Sequence, residues 1–157
     1  GRWLPDAVFD SQNLNARGAM QVASCMAGVA FLKGLGLVHS ISHAIGAEYR
    51  THHGLTNAIT LPAVMRFNAP SIRDKCPEIS KALELEGQDF EDVYHWICRL
   101  LDYLEIPKSL DEIGVDKTKV SSLAKRAFSD SATGTNPRKP ELEELEVVLR
   151  EAISQGR

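Results

Sequence analysis

The chain has 157 residues, a formal net charge of −3, and hydrophobic and charged fractions of 43% and 25%. These values predict one globular domain that can bury a core of its own. The weak negative charge gives no electrostatic reason to expect a nucleic acid or an anionic membrane as a partner. No apolar run is long enough to predict a membrane-spanning helix and no signal peptide is recognisable, which together favour a cytoplasmic protein.

Cysteine content and the first residues bear on the type of protein. Cys25, Cys76 and Cys98 are well separated and lie in apolar surroundings. This pattern predicts reduced thiols in the core, not disulfides or a cysteine metal site.

The opening segment Gly1–Pro5 has no methionine and no polar lead-in. It suggests a fragment or processed piece of a longer protein, although a cloning remnant at Gly1 would look the same.

The first elements in chain order are a connector and a long helix. Pro5 predicts a connector over residues 4–12, because proline breaks an incoming helix. Asn13 is a suitable N-cap for a helix that runs to about Lys33 and that ends before two glycines. This helix has almost no polar face, so we expect it to be central and packed on all sides.

The remaining chain is also predicted to be helical. A helix over residues 37–49 carries two histidines, and the next helix runs from His53 to about Phe67. Apolar periodicity, prolines and capping residues then predict helices over residues 77–86, 89–104, 116–128 and 140–155, a turn at 109–112 and a loop over 129–138. No stretch alternates with period two, so the predicted fold class is all-α, a multi-helix domain of about seven helices.

Four of the five histidines are clustered in one short stretch. His39 and His43 lie one turn apart on one helix face, and a sharp turn could bring His53 back towards them. Imidazoles that converge from two elements are typical of a transition-metal site. Two histidines one turn apart are more often core residues, but the third favours a divalent metal. His52 points elsewhere at the helix start, and His95 has no spacing that relates it to the others.

Carboxylate ligands for this site are not evident in the sequence. Glu48 lies largely off the face that carries His39 and His43, and Asp6 and Asp10 fall in the connector. A catalytic metal needs about three or four protein ligands and an open position. The chain offers two or three, so the missing ligands are expected outside it.

Two runs around the histidines form one signature. The first extends from Gly34 to Ala47 and the second from His53 to Asn68. Together with residues 4–8 and Thr135–Arg138, they make nearly the whole chain resemble the iron-containing (group III) alcohol dehydrogenases. The resemblance implies the all-helical, metal-binding C-terminal domain of that family, of the dehydroquinate synthase-like type. It also implies that residues 1–157 lack an N-terminal α/β domain that binds NAD or NADP.

The resemblance also implies roles for three histidines. Carried over by position, His39 and His53 match the family's two C-terminal metal ligands. His43 matches the histidine that lies beside the nicotinamide and the substrate, so it is the candidate catalytic and cofactor-binding residue. The implied metal is Fe²⁺, with Zn²⁺ in some relatives. The family's other two ligands, in a D-x-x-x-H arrangement, and its glycine-rich nucleotide-binding turn are absent from this sequence.

The implied reaction is reversible hydride transfer between a small alcohol and NAD(P), which interconverts alcohols with aldehydes or ketones. The 157 residues alone are expected to be inactive, and a homodimer is one expected assembly because family members are commonly dimers. Two alternatives stay open. One is a non-catalytic helical domain with structural histidines. The other is a maleylacetate-reductase-like or dehydroquinate-synthase-like relative with the same fold and a different reaction.

Overall fold

The computed structural model describes residues 1–157, and all of the regular structure is helical. There are eight α-helices, five short 3-10 turns and no strand, which confirms the predicted fold class. The α-helices are α1 Leu4–Phe9, α2 Leu14–Ala30, α3 Leu37–Tyr49, α4 His53–Ile72, α5 Cys76–Leu83, α6 Phe90–Tyr103, α7 Val120–Phe128 and α8 Leu142–Ser154.

The main core lies between α3, α4, α7 and α8. It contains 19 buried hydrophobic residues, among them Ile41 and Ile45 of α3 and Leu149 of α8. Each fully buried side chain of this size contributes about 1.5–3 kcal/mol of hydrophobic stabilisation. A second cluster of six buried residues joins the other side of α4 to α5 and α6. Helix α4 is therefore the element that both cores share.

Local sequence signals predicted most of the helix boundaries correctly. Helix α3 has the predicted limits, whereas α4 continues past Phe67 to Ile72. The predicted connector at residues 4–12 is wrong, because residues 4–9 form α1. Pro5 lies in the first turn of this helix, where its missing N–H would have had no intrahelical partner.

The predicted burial of the long second helix is also wrong for these 157 residues. Ala16 is the only buried residue of α2. Side chains such as Leu14 and Leu32 are 79% and 89% exposed, and Cys25 is exposed instead of lying in the core. No single helix is long and apolar enough to cross a membrane. Only the segments 14–33 and 37–49 taken together have suitable length and composition, and they meet at an angle of 101°.

Two buried asparagine side chains connect the loop after α7 to the start of α3. Asn136 Oδ1 accepts hydrogen bonds from the backbone N–H of Leu37 at 3.1 Å and from Asn68 Nδ2 at 3.1 Å. Asn136 Nδ2 donates to Asn68 Oδ1 at 2.7 Å and to the carbonyl oxygen of Arg138 at 2.6 Å. Both amides are therefore paired on oxygen and nitrogen, as burial requires.

Removal of one amide should destabilise the whole domain. In Asn136→Ala, the Asn68 amide and the N–H of Leu37 lose their partners, and each unpaired buried group costs about 1–3 kcal/mol. We expect the free energy of unfolding, measured by urea denaturation, to fall by about 3 kcal/mol.

Asn15→Ala is a matched control, because Asn15 is an exposed residue of α2. Its free energy of unfolding should stay within about 0.5 kcal/mol of the wild-type value. Equal stability of Asn136→Ala and Asn15→Ala would contradict the structural importance of the buried amides.

Candidate metal centre and active site

The three predicted site histidines meet where α3 faces the start of α4. The ring centroids of His39 and His43 are 6.1 Å apart. The ring of His53 lies 5.3 Å from that of His39 and 5.4 Å from that of His43. His39 is half-buried, whereas His43 and His53 are exposed. One cluster at the domain surface therefore contains His39, His43 and His53.

Both ring nitrogens of His53 have polar partners. Nδ1 lies 2.9 Å from Ser42 Oγ, on the preceding helix. Nε2 lies 3.1 Å from Nδ2 of Asn57, one turn further along α4. Ser42 is buried, and Asn57 Oδ1 is a buried oxygen without a hydrogen-bond partner. The ring of His53 is thus held between two polar side chains.

A carboxylate holds the ring of His43. His43 Nδ1 lies 3.0 Å from Oδ2 of Asp130, while Oδ1 of Asp130 accepts a hydrogen bond from the N–H of Ala132 at 2.8 Å. Burial alone would raise the pKa of Asp130. The hydrogen bond from Ala132 and the pairing with His43 outweigh burial, so this pKa lies below its usual value.

His39 contacts aromatic rings and lacks a polar partner of this kind. Its imidazole lies edge-on to Phe31, with 5.6 Å between ring centroids. Burial, and then the positive charge that His53 and His43 carry when protonated, lower the pKa of His39, and Asp130 only partly opposes them. The neutral imidazole, which is the form that binds a metal ion, is therefore favoured.

The other two histidines lie outside the cluster, as predicted. His52 is the N-cap of α4, where its Nδ1 accepts a hydrogen bond from the N–H of Leu55 at 3.3 Å. His95 is exposed on α6. Glu48 forms ion pairs with two basic residues of the region around α7, Lys119 and Arg126.

Sequence reasoning missed three polar residues of the site. Asp130 is 87 positions from His43, so no local pattern links them. Asn57 lies one turn after His53, and this spacing could have indicated it. Ser42 stands out in the sequence only as a small residue of α3. These three residues contact His43 and His53 directly.

The chain contains no group of three histidine, cysteine, aspartate or glutamate side chains that could hold a metal ion. The three histidines are close, but their nitrogens do not form a complete ligand set. Neutral imidazoles nevertheless suit iron and zinc, so the residues present fit part of a metal centre. Further ligands would have to come from outside residues 1–157.

The lowered pKa of His39 predicts acid sensitivity of the metal-free chain. Between its folded pKa and about 6.5, the unfolded chain binds more protons at this position than the folded chain. The free energy of unfolding should therefore fall as the pH falls through this window. Denaturant titrations of His39→Gln should show a shallower fall than the wild type.

His95→Gln provides the matched control, since His95 is an exposed histidine outside the cluster. It should keep the wild-type pH dependence. A His39→Gln variant whose unfolding free energy fell as steeply as the wild type's would refute the proposed role of His39 in acid sensitivity.

Comparison with known proteins relates the sequence of this chain to one enzyme family. The sequence profile of the C-terminal part of the Fe-containing alcohol dehydrogenase family matches residues 1–153. A probable alcohol dehydrogenase of Escherichia coli is 38% identical over 146 residues, which are 92% of this chain and 37% of that protein. The NAD-dependent methanol dehydrogenase of Bacillus methanolicus is 35% identical and matches 96% of this chain and 42% of its own length.

Solved structures agree with the sequence matches. A 1,3-propanediol oxidoreductase superposes with a TM-score of 0.92 at 34% identity and covers 97% of this chain and 42% of its own. An iron-containing alcohol dehydrogenase from Thermococcus thioreducens gives a TM-score of 0.84 at 34% identity, over 96% of this chain and 40% of its own. The chain thus spans about two fifths of the length of these relatives. It belongs to the Fe-containing alcohol dehydrogenase family and corresponds to the family's C-terminal region.

Proposed function

We propose that these residues form the metal-binding part of an NAD(P)-dependent alcohol dehydrogenase that interconverts small alcohols with aldehydes or ketones. The observation that carries the proposal is the cluster of His39, His43 and His53, incomplete by itself, in a chain of this family. Relatives are named as NAD-dependent methanol and NADPH-dependent butanol dehydrogenases. The proposed location is the cytoplasm, and the proposed cofactor is NAD or NADP.

His39 and His53 are the proposed metal ligands of this chain. They come from different helices, and their rings are 5.3 Å apart. The proposed metal is Fe²⁺, and Zn²⁺ suits the same imidazole donors. When bound, the metal supplies Lewis acidity at the substrate oxygen, and NAD(P) accepts or returns the hydride. His39 and His53 would hold the metal at the surface of this domain.

His43 is the proposed residue beside the nicotinamide and the substrate. Its Nδ1 proton can be donated to Oδ2 of Asp130, which fixes the ring and leaves Nε2 as the atom that can take up a proton. The side chain is 43% exposed, so it is accessible to a bound molecule. We propose that His43 positions the cofactor and substrate, and that Asp130 holds His43 in orientation.

The experiment that tests this function uses the longer polypeptide that we propose contains this chain. With Fe²⁺ added, it should reduce NAD⁺ or NADP⁺ in the presence of a small primary alcohol, measured by nicotinamide absorbance. His39→Ala and His53→Ala should each lose bound metal and at least about 100-fold of the activity, because each removes a ligand. The 157 residues alone should show no turnover.

His95→Ala is the control variant, since this histidine lies outside the cluster on α6. It should retain metal and activity. Unchanged metal content and activity in both His39→Ala and His53→Ala would favour a non-catalytic helical domain with structural histidines. Turnover by the 157 residues alone would contradict a site completed by other parts of the polypeptide.

The exposed side of α2 supports the proposal that further chain covers this domain. Large apolar side chains of the segment from α2 into the following turn are more than half exposed, namely Leu14, Val22, Met26, Val29, Phe31 and Leu32. Val22, Met26 and Val29 share one face of α2, because they are spaced by four and three residues. An exposed apolar face of this kind marks an interaction site. We propose that it is covered by the upstream part of the longer polypeptide, which includes the nucleotide-binding α/β domain. Phe31 at one end of this surface contacts His39, so the surface adjoins the histidine cluster.

The rate at which Cys25 reacts with a thiol reagent measures whether this surface is covered, because Cys25 is an exposed cysteine of α2. A thiol reagent should modify Cys25 readily in the 157-residue chain and at least about tenfold more slowly in the longer polypeptide. Cys76 is buried and serves as the internal control, with slow modification in both proteins.

Equal rates for Cys25 in both proteins would show that upstream chain does not cover α2. Protection of Cys25 in the 157-residue chain that increases with protein concentration would show instead that a second copy covers this surface.

A further inference from the structure

We propose that Ser42 and Asn57 are positioning residues that together select one tautomer of His53, with the proton on Nδ1 and the lone pair on Nε2. The proposal rests on the proposed function for the identity of His53 as a metal ligand. It concerns a side chain that is completely enclosed, since Ser42 is 1% exposed. Three hydrogen bonds carry it, two at the imidazole of His53 and one at the carbonyl oxygen of the same residue.

Nε2 of His53 is a hydrogen-bond acceptor. Its neighbour at 3.1 Å is Nδ2 of Asn57, which can only donate. Nε2 must therefore accept, and it carries no proton. Rotating the Asn57 amide by half a turn would place its NH₂ where Oδ1 now lies buried without a partner. Both N–H groups of the rotated amide would then lack an acceptor, whereas Nδ2 now donates one of them to Nε2, so the present orientation is favoured.

Nδ1 of His53 therefore carries the proton. A neutral imidazole has one donor and one acceptor, so an accepting Nε2 places the proton on Nδ1. Nδ1–H then donates to Ser42 Oγ, 2.9 Å away. The hydroxyl proton of Ser42 is free to point elsewhere, and it donates to the carbonyl oxygen of His53 at 3.3 Å. The Nδ1–H of His53, the hydroxyl proton of Ser42 and one N–H of Asn57 thus each have an acceptor.

The consequence concerns Nε2 of His53, whose lone pair would bind a metal ion in place of the hydrogen bond from Asn57. Ligating histidines donate their other ring N–H to a fixed acceptor, which sets the tautomer and orientation of the ring. Ser42 would perform this task for His53 from the neighbouring helix. Its double contact, with the ring and with the backbone of the same residue, also fixes the ring relative to the first turn of α4.

The experiment compares Ser42→Ala with Ser40→Ala. Ser40 is the matched control, because it is a buried serine of the same helix whose hydroxyl donates to the carbonyl oxygen of Leu37. Long-range proton–nitrogen NMR spectra of the histidine-labelled, metal-free chain at neutral pH report which nitrogen of His53 is protonated. We expect the Nδ1–H tautomer in the wild type and Ser40→Ala. In Ser42→Ala the Nδ1–H group loses its acceptor while Asn57 can still donate to Nε2, so we expect a mixture of the two tautomers.

A second measurement tests the link to the metal. In the longer polypeptide, Zn²⁺ affinity measured by competition with a chelator should fall by about 10- to 100-fold in Ser42→Ala and remain unchanged in Ser40→Ala. An Nε2–H tautomer in the wild type would overturn the proposal, whether or not Ser42→Ala folds. Equal Zn²⁺ affinity of the wild type and Ser42→Ala would overturn it as well. Absence of Zn²⁺ binding in the wild type would instead overturn the ligand assignment of the proposed function, while the NMR result still decides the role of Ser42.

Discussion

The position of the histidine cluster depends on how α3 begins. Its N-cap is Gly36, which has no side chain to accept from the first free N–H groups of the helix. Asn136, 99 residues further along the chain, supplies the missing acceptor to Leu37, and Asn68 of α4 holds Asn136 in place. His39 lies in this first turn. One buried amide pair thus sets where α3 begins relative to α4.

Sequence information predicted those features whose cause is local. The start of α3 follows from the glycines before it and its extent from its apolar spacing, and the three histidines of the cluster all belong to one short stretch of the sequence. The composition of α2 predicts burial, but it does not specify which segment covers the helix. Within residues 1–157, no segment buries more of α2 than Ala16. Asp130 illustrates the same limit. Its contact with His43 depends on the packing of α7 against α3, which no neighbouring residue encodes.

The three histidines are held to different degrees. His53 is fixed at both nitrogens, His43 by one carboxylate, and His39 mainly by packing against aromatic rings. A site that is to bind a metal tightly needs ligands fixed before the metal arrives, because ordering a side chain costs free energy. The packing of Phe31 is therefore the main restraint on the imidazole of His39, and Phe31 itself lies on the exposed side of the domain.

Asp130 divides its two oxygens between separate tasks. One oxygen caps the 3-10 turn Ser131–Thr135, and the other accepts from His43. Unwinding of that turn would therefore withdraw a negative charge from the histidine cluster, and a molecule that immobilises His43 would in return order the turn. Thermodynamic linkage makes the two effects equal in size. The side chain of Asp130 thus connects the conformation of the turn Ser131–Thr135 to the negative charge beside His43. Replacing Asp130 with the longer glutamate would disturb the turn and the contact with His43 together.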